Sequence, residues 1–366
     1  MAAPPLERAA RRLSAVSVIV PARNAAGTLP LCLAGLAAGG FAPGEVVVVD
    51  DRSDDGTAGI AEGFGARVRR IAPDASASGA AAARNLGAAG TQADILLFVD
   101  ADVVARPGTR ERVLRFFAAY PDHAAVFGAY CDAPPAPGLV SRARNLLHRH
   151  VHRAGAGEAE TFWTGLGAVR RADFEAAGGF DPAQRMMEDV AFGMALRRAG
   201  RRIRIDPALE GTHLKRWTLA SMMRADLVDR AVPWSRLILS RGAGDTLNVS
   251  PEGRRSVLAA GAGVLALAAL PFAPLPAAGG LLAAAGTLVH ANRAFLEGLR
   301  RTRGPGFALG AAGMLWAHYL AGGLGYAWVR LVERPARPPH SAAMRSDPPP
   351  AAAPPPPPPE VRSNSS

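Results

Sequence analysis

Three pairs of acids stand where they can do chemistry: Asp50–Asp51, Asp100 with Asp102, and Glu188–Asp189. Two carboxylates one residue apart repel each other unless something positive sits between them. A divalent cation satisfies both. Oxygen donors suit Mg²⁺ or Mn²⁺, with substrate phosphates completing the shell. Asp100 and Asp102 follow the apolar run "ILLFV" and Asp50–Asp51 follow "VVVV", so both pairs come off strand ends. One Asp of the 50–51 pair can accept the N–H of a nucleobase. "PARN" (21–24) closes an earlier apolar run, and Pro21, Arg23 and Asn24 can hold a nucleotide in the same crevice. Arg84 offers a guanidinium to phosphate. Glu188–Asp189, in "MMEDV", opens a helix whose dipole keeps a carboxylate ionised at neutral pH, fit to take a proton from an acceptor hydroxyl. "HLKRW" (213–217) adds His213, Arg216 to neutralise a leaving diphosphate, and Trp217 to stack on sugar or lipid. Each feature has a plainer reading: a capped turn, a helical surface arginine, N-terminal charge compensation.

The elements that must position these residues alternate. "AVSVIVP" (15–21), "GEVVVVDD" (44–51), "RVRRI" (67–71) and "DILLFVDAD" (94–102) read as strands, the third at an edge. Helices fall between them over 25–38, 56–65 and 78–90, with Thr28 as N-cap of the first and Gly65 and Gly90 as stops. Ser53 and Asp54 can cap the second. Further helices are expected over 107–121 and 186–200, and a strand over 202–207. This β-α-β-α order argues for a doubly wound α/β sheet, whose ligands bind at the carboxyl ends of the strands. The acids at 50–51 and 100–102 lie at such ends.

The last third changes character. Residues 256–291 carry no charged side chain except at His290, which is more than one bilayer span of about 20 residues. Spans are expected at 256–273, 275–291 and 306–329. The loop 292–304 holds Arg293, Arg300, Arg301 and Arg303, which places it, and with it residues 1–250, in the cytoplasm. Residues 218–250 read as interfacial amphipathic helices. A leader over 1–14 and a disordered Pro-rich tail over 333–366 complete the division, with 15–217 as the α/β domain.

The formal net charge is +11, almost all arginine, and Lys215 is the single lysine. The arginines are scattered and lack interleaved aromatics, which argues against nucleic acid. Two cysteines, Cys32 and Cys131, are too few for a disulfide framework and fit a reduced compartment.

"VSVIVPARN", "VVVVDDRSDDGT", "AAARNLGAAGTQADILLFVDAD", "GGFD…MEDV" and "HLKRW", in this order, resemble family 2 glycosyltransferases, the inverting GT-A type, from about Val16 to Trp217. The resemblance implies that Asp51 with Asp50 binds the base of a nucleotide-sugar donor. It implies that Asp102 with Asp100 holds Mn²⁺ or Mg²⁺ on the diphosphate, and that Asp189 is the catalytic base. Arg216 and Trp217 match the end of the family's Gln-x-x-Arg-Trp motif, with His213 in place of Gln, which argues against processive polymer synthesis. Together with the apolar helices, the expectation is a multi-pass protein of the cytoplasmic membrane with its catalytic domain in the cytoplasm. It would move a sugar, from UDP by preference, to a lipid-linked acceptor. The alternatives are a soluble or polysaccharide acceptor, and a non-catalytic nucleotide-sugar-binding membrane protein. A nucleotidyltransferase is disfavoured, because the first strand ends in "PARN" and no lysine occurs before Lys215.

Overall fold

A computed structural model describes residues 15–241 and 250–333; the expected leader and nearly all of the expected tail lie outside the described residues. One nine-stranded sheet organises the α/β domain. Its parallel half is β3 (Arg67–Arg70), β2 (Val46–Asp50), β1 (Val16–Ala22) and β4 (Ile95–Val99), in that spatial order. Burial follows the period of two. Val18, Val20, Val46, Val48, Leu97 and Val99 face one core with helix α1 (Leu29–Ala38). Ile19, Leu96 and Phe98 face a second core, with Phe174, Phe180 and Phe192. Both faces are covered, as the unbroken apolar runs require. β3 is at the edge, as its charged sequence predicts. Helices α2 (Thr57–Phe64) and α3 (Ala80–Ala89) fall where the spacing places them, and α2 stops at Gly65, with φ +86°. Gly87 is required on α3: a Cβ there would lie 2.5 Å from the Ile19 side chain, so α3 lies tight on β1. Strand order reverses between β1 and β4, which makes their carboxyl ends a ligand crevice.

Beyond β4 the sheet is mixed. β8 (Leu166–Arg170) runs antiparallel between β4 and β6 (His123–Tyr130). β9 (Arg202–His213) runs parallel to β6 and pairs antiparallel with the short β5 (Val103–Ala105) and β7 (Gly157–Ala159). Thus β9 is twice the expected length, and β5, β6, β7 and β8 are additions to the expected elements. Helices α4 (Thr109–Ala119), α6 (Arg171–Ala176) and α7 (Glu188–Arg198) flank this half. So does α5 (Leu139–Ala154), which the sequence reading leaves unassigned. Its signal is Ala143, Leu146 and Leu147 at helical spacing on one buried face, interrupted by histidines and arginines.

After Trp217 come α8 (Leu219–Arg224), a π-helical segment (Ala225–Ala231) and α9 (Val232–Arg241). These are not simply a surface layer. Leu237 packs on Val190 and Ala191 of α7, with Trp234 beside it. Helices α10 (Pro251–Ala269), α11 (Pro274–Ala291), α12 (Arg293–Arg303) and α13 (Pro305–Trp328) follow. Two stretches, Pro274–Ala291 and Pro305–Glu333, are long and apolar enough to cross a membrane, each with a mean hydropathy of 1.2. The expected first span at 256–273 is not among them: α10 ends at Ala269 and its opening turns carry Glu252, Arg254 and Arg255, so the uncharged part of the helix is only 256–269. The expected 292–304 loop is the amphipathic α12. Its Phe295, Leu296 and Leu299 bury against α5 and α13, while Arg303 donates to the Asp132 carbonyl at 3.0 Å. That seam ties the apolar helices to the α/β domain.

Candidate functional site

At the carboxyl ends of β1 and β2 two loops are stitched together. Asn24, with φ +49°, accepts from Asp54 N at 3.0 Å through Oδ1, and its own N–H donates to Ser53 Oγ at 2.9 Å. Ala25 N donates to Thr57 Oγ1 and Ala26 N to Asp55 Oδ2. Helix α2 has Gly56, not Ser53 or Asp54, at its N-cap, and Asp55 just before it accepts from Thr57 N at 2.9 Å. The Thr57 hydrogen bond holds the Asp55 carboxyl below its ordinary range. Arg23 is exposed at the rim, and Pro21 pairs in register with Val49.

Asp50 and Asp51 separate in role. Asp50 accepts from Ser53 N at 3.2 Å and so shapes the turn. Asp51 is buried. Its Oδ2 accepts from Gly79 N at 2.8 Å, and its Oδ1 is buried with no hydrogen-bond partner. An orphaned buried acceptor costs about 1–3 kcal/mol, which a ligand N–H can recover. Gly79, with φ +93°, holds this arrangement from the loop before α3, and Arg52, from the loop after β2, donates to the Ala72 and Ala75 carbonyls of that same loop. The sequence reading names neither.

Arg84 is not available to phosphate. It is 4% exposed and bridges Asp100 Oδ1 at 2.8 Å and Glu188 Oε1 at 2.5 Å. Both partners raise its pKa, although burial works against the charge. The bridge joins the end of β4 to the start of α7; it takes up Glu188, which is buried, and Oδ1 of Asp100, whose side chain stays 34% exposed.

Asp102 and Asp189 stand beside that bridge without joining it, and Asp102 is as open as Asp100, at 30%. Pairing of β5 with β9 sets Val103 opposite His213, and Leu214 N donates to the Asp102 carbonyl at 2.8 Å. His213 Nε2 then lies 3.4 Å from Asp102 Oδ2. Among the described residues, no group of three or more His, Cys, Asp or Glu side chains is gathered as a cation cage. One carboxylate and one imidazole nitrogen are a donor set that a substrate diphosphate and water can complete.

Asp189 opens α7 after Met187, a residue with φ +64°. Its Oδ1 accepts from Val190 N at 2.8 Å, and its Oδ2 from Thr164 N and Oγ1, both at 3.3 Å. Burial and then the charge of Glu188 push its pKa up to about 6, against the pull of Arg84 and these hydrogen bonds. The helix dipole alone therefore does not set its state. At pH 7 the carboxylate outnumbers the acid by about ten to one, a base poised close to working pH. Tyr130 ties the set together: burial first, then the charges of Asp102, Asp100 and Asp189, raise its phenol well above the ordinary value.

In "HLKRW" the side chains diverge. Arg216 is exposed, while Trp217 is 6% exposed and packs with Ala143, Leu146 and Met222. Lys215 Nζ lies 4.4 Å from its ring centroid, and Arg144 and Arg230 lie 6.0 Å away. The indole is thus covered by cations rather than open to sugar or lipid. A cavity of about 380 Å³ lined by Arg112, Arg115, Tyr120 and Arg204 sits at the opposite, amino end of β9, away from these carboxylates.

Residues 17–176 match the family model described as Glycosyl transferase family 2. A 4,4'-diaponeurosporenoate glycosyltransferase of Staphylococcus haemolyticus is 40% identical over 100 residues, which is 26% of this chain and 26% of that protein. The match thus spans about a quarter of that relative's length. Among solved structures, a mannosyltransferase from Pyrobaculum calidifontis in complex with GDP-Man and Mn²⁺ aligns over 88% of this chain and 93% of its own, with a TM-score of 0.49 and 19% identity. Residues 1–349 of S. aureus TarS in complex with UDP-GlcNAc align over 86% and 91%, with a TM-score of 0.43 and 18% identity. The family match covers the Asp51 and Asp102 clusters and ends before Asp189 and His213. Residues 17–176 of the α/β domain, with the Asp51 and Asp102 clusters among them, thus match glycosyl transferase family 2 over a little less than half of the chain.

Proposed function

We propose that this chain is an inverting glycosyltransferase that moves a sugar from a nucleotide-diphosphate donor to a lipid-linked acceptor at a membrane surface. The observation that supports the transferase reading is three carboxylates in different states, two beyond the carboxyl ends of strands and one at a helix start: an orphaned buried one at Asp51 after β2, one paired with imidazole at Asp102 after β4, and one poised near neutrality at Asp189 on α7. In this reading Asp51 Oδ1 accepts from the donor's base, and Asn24 with the backbone of 21–24 shapes its pocket. Asp102 and His213 would hold a divalent cation, whose charge offsets that of the departing diphosphate. Asp189 takes the proton from the acceptor hydroxyl, whose oxygen attacks the anomeric carbon as the bond to the diphosphate breaks. Glu188 and Asp100, locked to Arg84, keep Asp189 and the β4 end in register. Exposed Arg216 faces solvent beside Lys215, suited to diphosphate or an acceptor phosphate. The mechanism is one displacement with inversion, with no covalent intermediate on the protein.

The membrane part is supported by exposed Leu275 and Leu282 on α11 and Leu309 on α13, an apolar surface that a bilayer would cover. The basic face of α12 lies on the same side as the α/β domain, which fits a cytoplasmic site.

The test uses membranes carrying the full chain, incubated with radiolabelled UDP-glucose, UDP-N-acetylglucosamine, UDP-galactose or GDP-mannose and Mn²⁺. Label in the organic-soluble fraction that is absent in Asp189→Asn supports the proposal. Label only in water-soluble product overturns the lipid acceptor. Donor binding without turnover from any donor overturns the transferase reading in favour of a binding protein.

A further inference from the structure

One polar side chain reaches this site from α5. Asn145 is 2% exposed. Its Nδ2 donates to the Lys215 carbonyl at 3.5 Å, which turns Oδ1 toward His213 Nδ1 at 2.6 Å. An amide oxygen only accepts, so Asn145 favours the proton of a neutral His213 ring on Nδ1, while the Asp102 carboxylate facing Nε2 competes for it; a cation between Nε2 and Asp102 removes that competition and leaves the lone pair on Nε2. Nε2 is the atom that faces Asp102. Tyr130 stacks on the imidazole at 4.4 Å and 6° between planes, which fixes the ring's tilt.

We propose that Asn145 is a positioning residue: it locks His213 in the Nδ1–H form, so that Nε2 and Asp102 make a mixed nitrogen–oxygen pair that favours Mn²⁺ over Mg²⁺. Mg²⁺ takes oxygen ligands and dehydrates reluctantly, whereas transition ions accept imidazole. Partners that orient a ligating histidine typically change metal affinity 10- to 100-fold. This inference rests on the reading that a cation sits at Asp102, and the experiment separates the two.

The full chain in detergent is titrated with Mn²⁺ in the presence of UDP or GDP. Free Mn²⁺ is counted by electron paramagnetic resonance, and bound Mn²⁺ is examined for nitrogen modulation by spin-echo spectroscopy. Wild type and Asn145→Asp, which keeps the acceptor oxygen, are expected to bind with nitrogen modulation. Asn145→Leu is expected to lose the modulation and to bind about 10- to 100-fold more weakly, and His213→Ala to lose the modulation. Wild-type affinity and modulation in a folded Asn145→Leu overturn the proposal. So does equal loss in the Asp and Leu variants. A wild-type signal unchanged in Asp102→Asn overturns the cation reading itself, and the role of Asn145 with it.

Discussion

The two halves of the cleft are built on different length scales. On the β1–β2 side, the contacts that set the site come from neighbouring loops: Asn24 reaches Asp54 over 30 residues, and Asp51 reaches Gly79 over 28. On the β5–β9 side they come from far along the chain: Arg84 reaches Glu188 over 104 residues, and Asn145 reaches His213 over 68. The first half is a rigid template that the parallel sheet imposes. The second exists only when β9, α5 and α7 have all docked. Donor binding and acceptor chemistry should therefore fail separately, and the variants below are chosen to show whether they do.

The largest effect belongs to the distant half. Asp189→Asn keeps size and the helix N-terminus but removes the base. We expect kcat to fall about 10²- to 10⁴-fold, with donor affinity unchanged, by single-turnover kinetics and donor titration. A matching loss of donor binding would break the division between the halves. Arg84→Met comes next. It removes the bridge and leaves Asp100 and Glu188 facing each other, so a destabilisation of about 3–5 kcal/mol is expected in denaturant unfolding. Loss of activity with unchanged stability would instead return Arg84 to a ligand-binding role.

Asp51→Asn is the matching test of the template half. It removes a charged acceptor from the proposed base contact, so the donor KM should rise about 10- to 100-fold with kcat little changed. Asp50→Asn, one residue away, should leave the KM unchanged, because Asp50 serves the turn at Ser53. Equal effects would erase the separation of this pair.

The pH profile is a finer probe. Protonating Asp189 removes the base, so kcat should be half-maximal at about pH 6 and fall about tenfold per unit below it. Glu188→Gln deletes the like charge that, after burial, raises this pKa. The acid limb should then move to lower pH. An unmoved limb would mean that another group titrates.

This contrast also decides how much the sequence could reveal. The strands β1, β2 and β4 are legible as apolar runs, and the acids at the ends of β2 and β4 because those two runs stop at carboxylates. So is the start of α7 at Glu188. The partnership of Asp102 with His213 is not, since it depends on a pairing between a three-residue strand and the far end of β9. Arg84 read as a phosphate ligand because nothing local shows that Glu188 returns to it. Trp217 read as a stacking surface because its cover of Arg144 and Arg230 comes from other helices. The break in α5's apolar pattern hid Asn145. Fold follows from local period; the acceptor side of the site follows from which distant elements dock.

The smallest effect sharpens the comparison most directly. Ser53→Ala removes the acceptor for Asn24 N, an exposed bond at 2.9 Å in the template half. Water can replace the hydroxyl, so the cost should stay below about 1 kcal/mol, a shift of about 2–4 °C or less in the melting temperature. Thr164→Ala is the same chemical change in the distant half. Thr164 is 2% exposed, and its hydroxyl donates to Asp189. No water substitutes as readily there. Loss of that bond also withdraws support from the carboxylate form, so the acid limb should move up as stability falls. If the two hydroxyl deletions instead cost the same and neither moves the limb, the two halves are equally pliable, and the long-range contacts around Asp189 do not tune it.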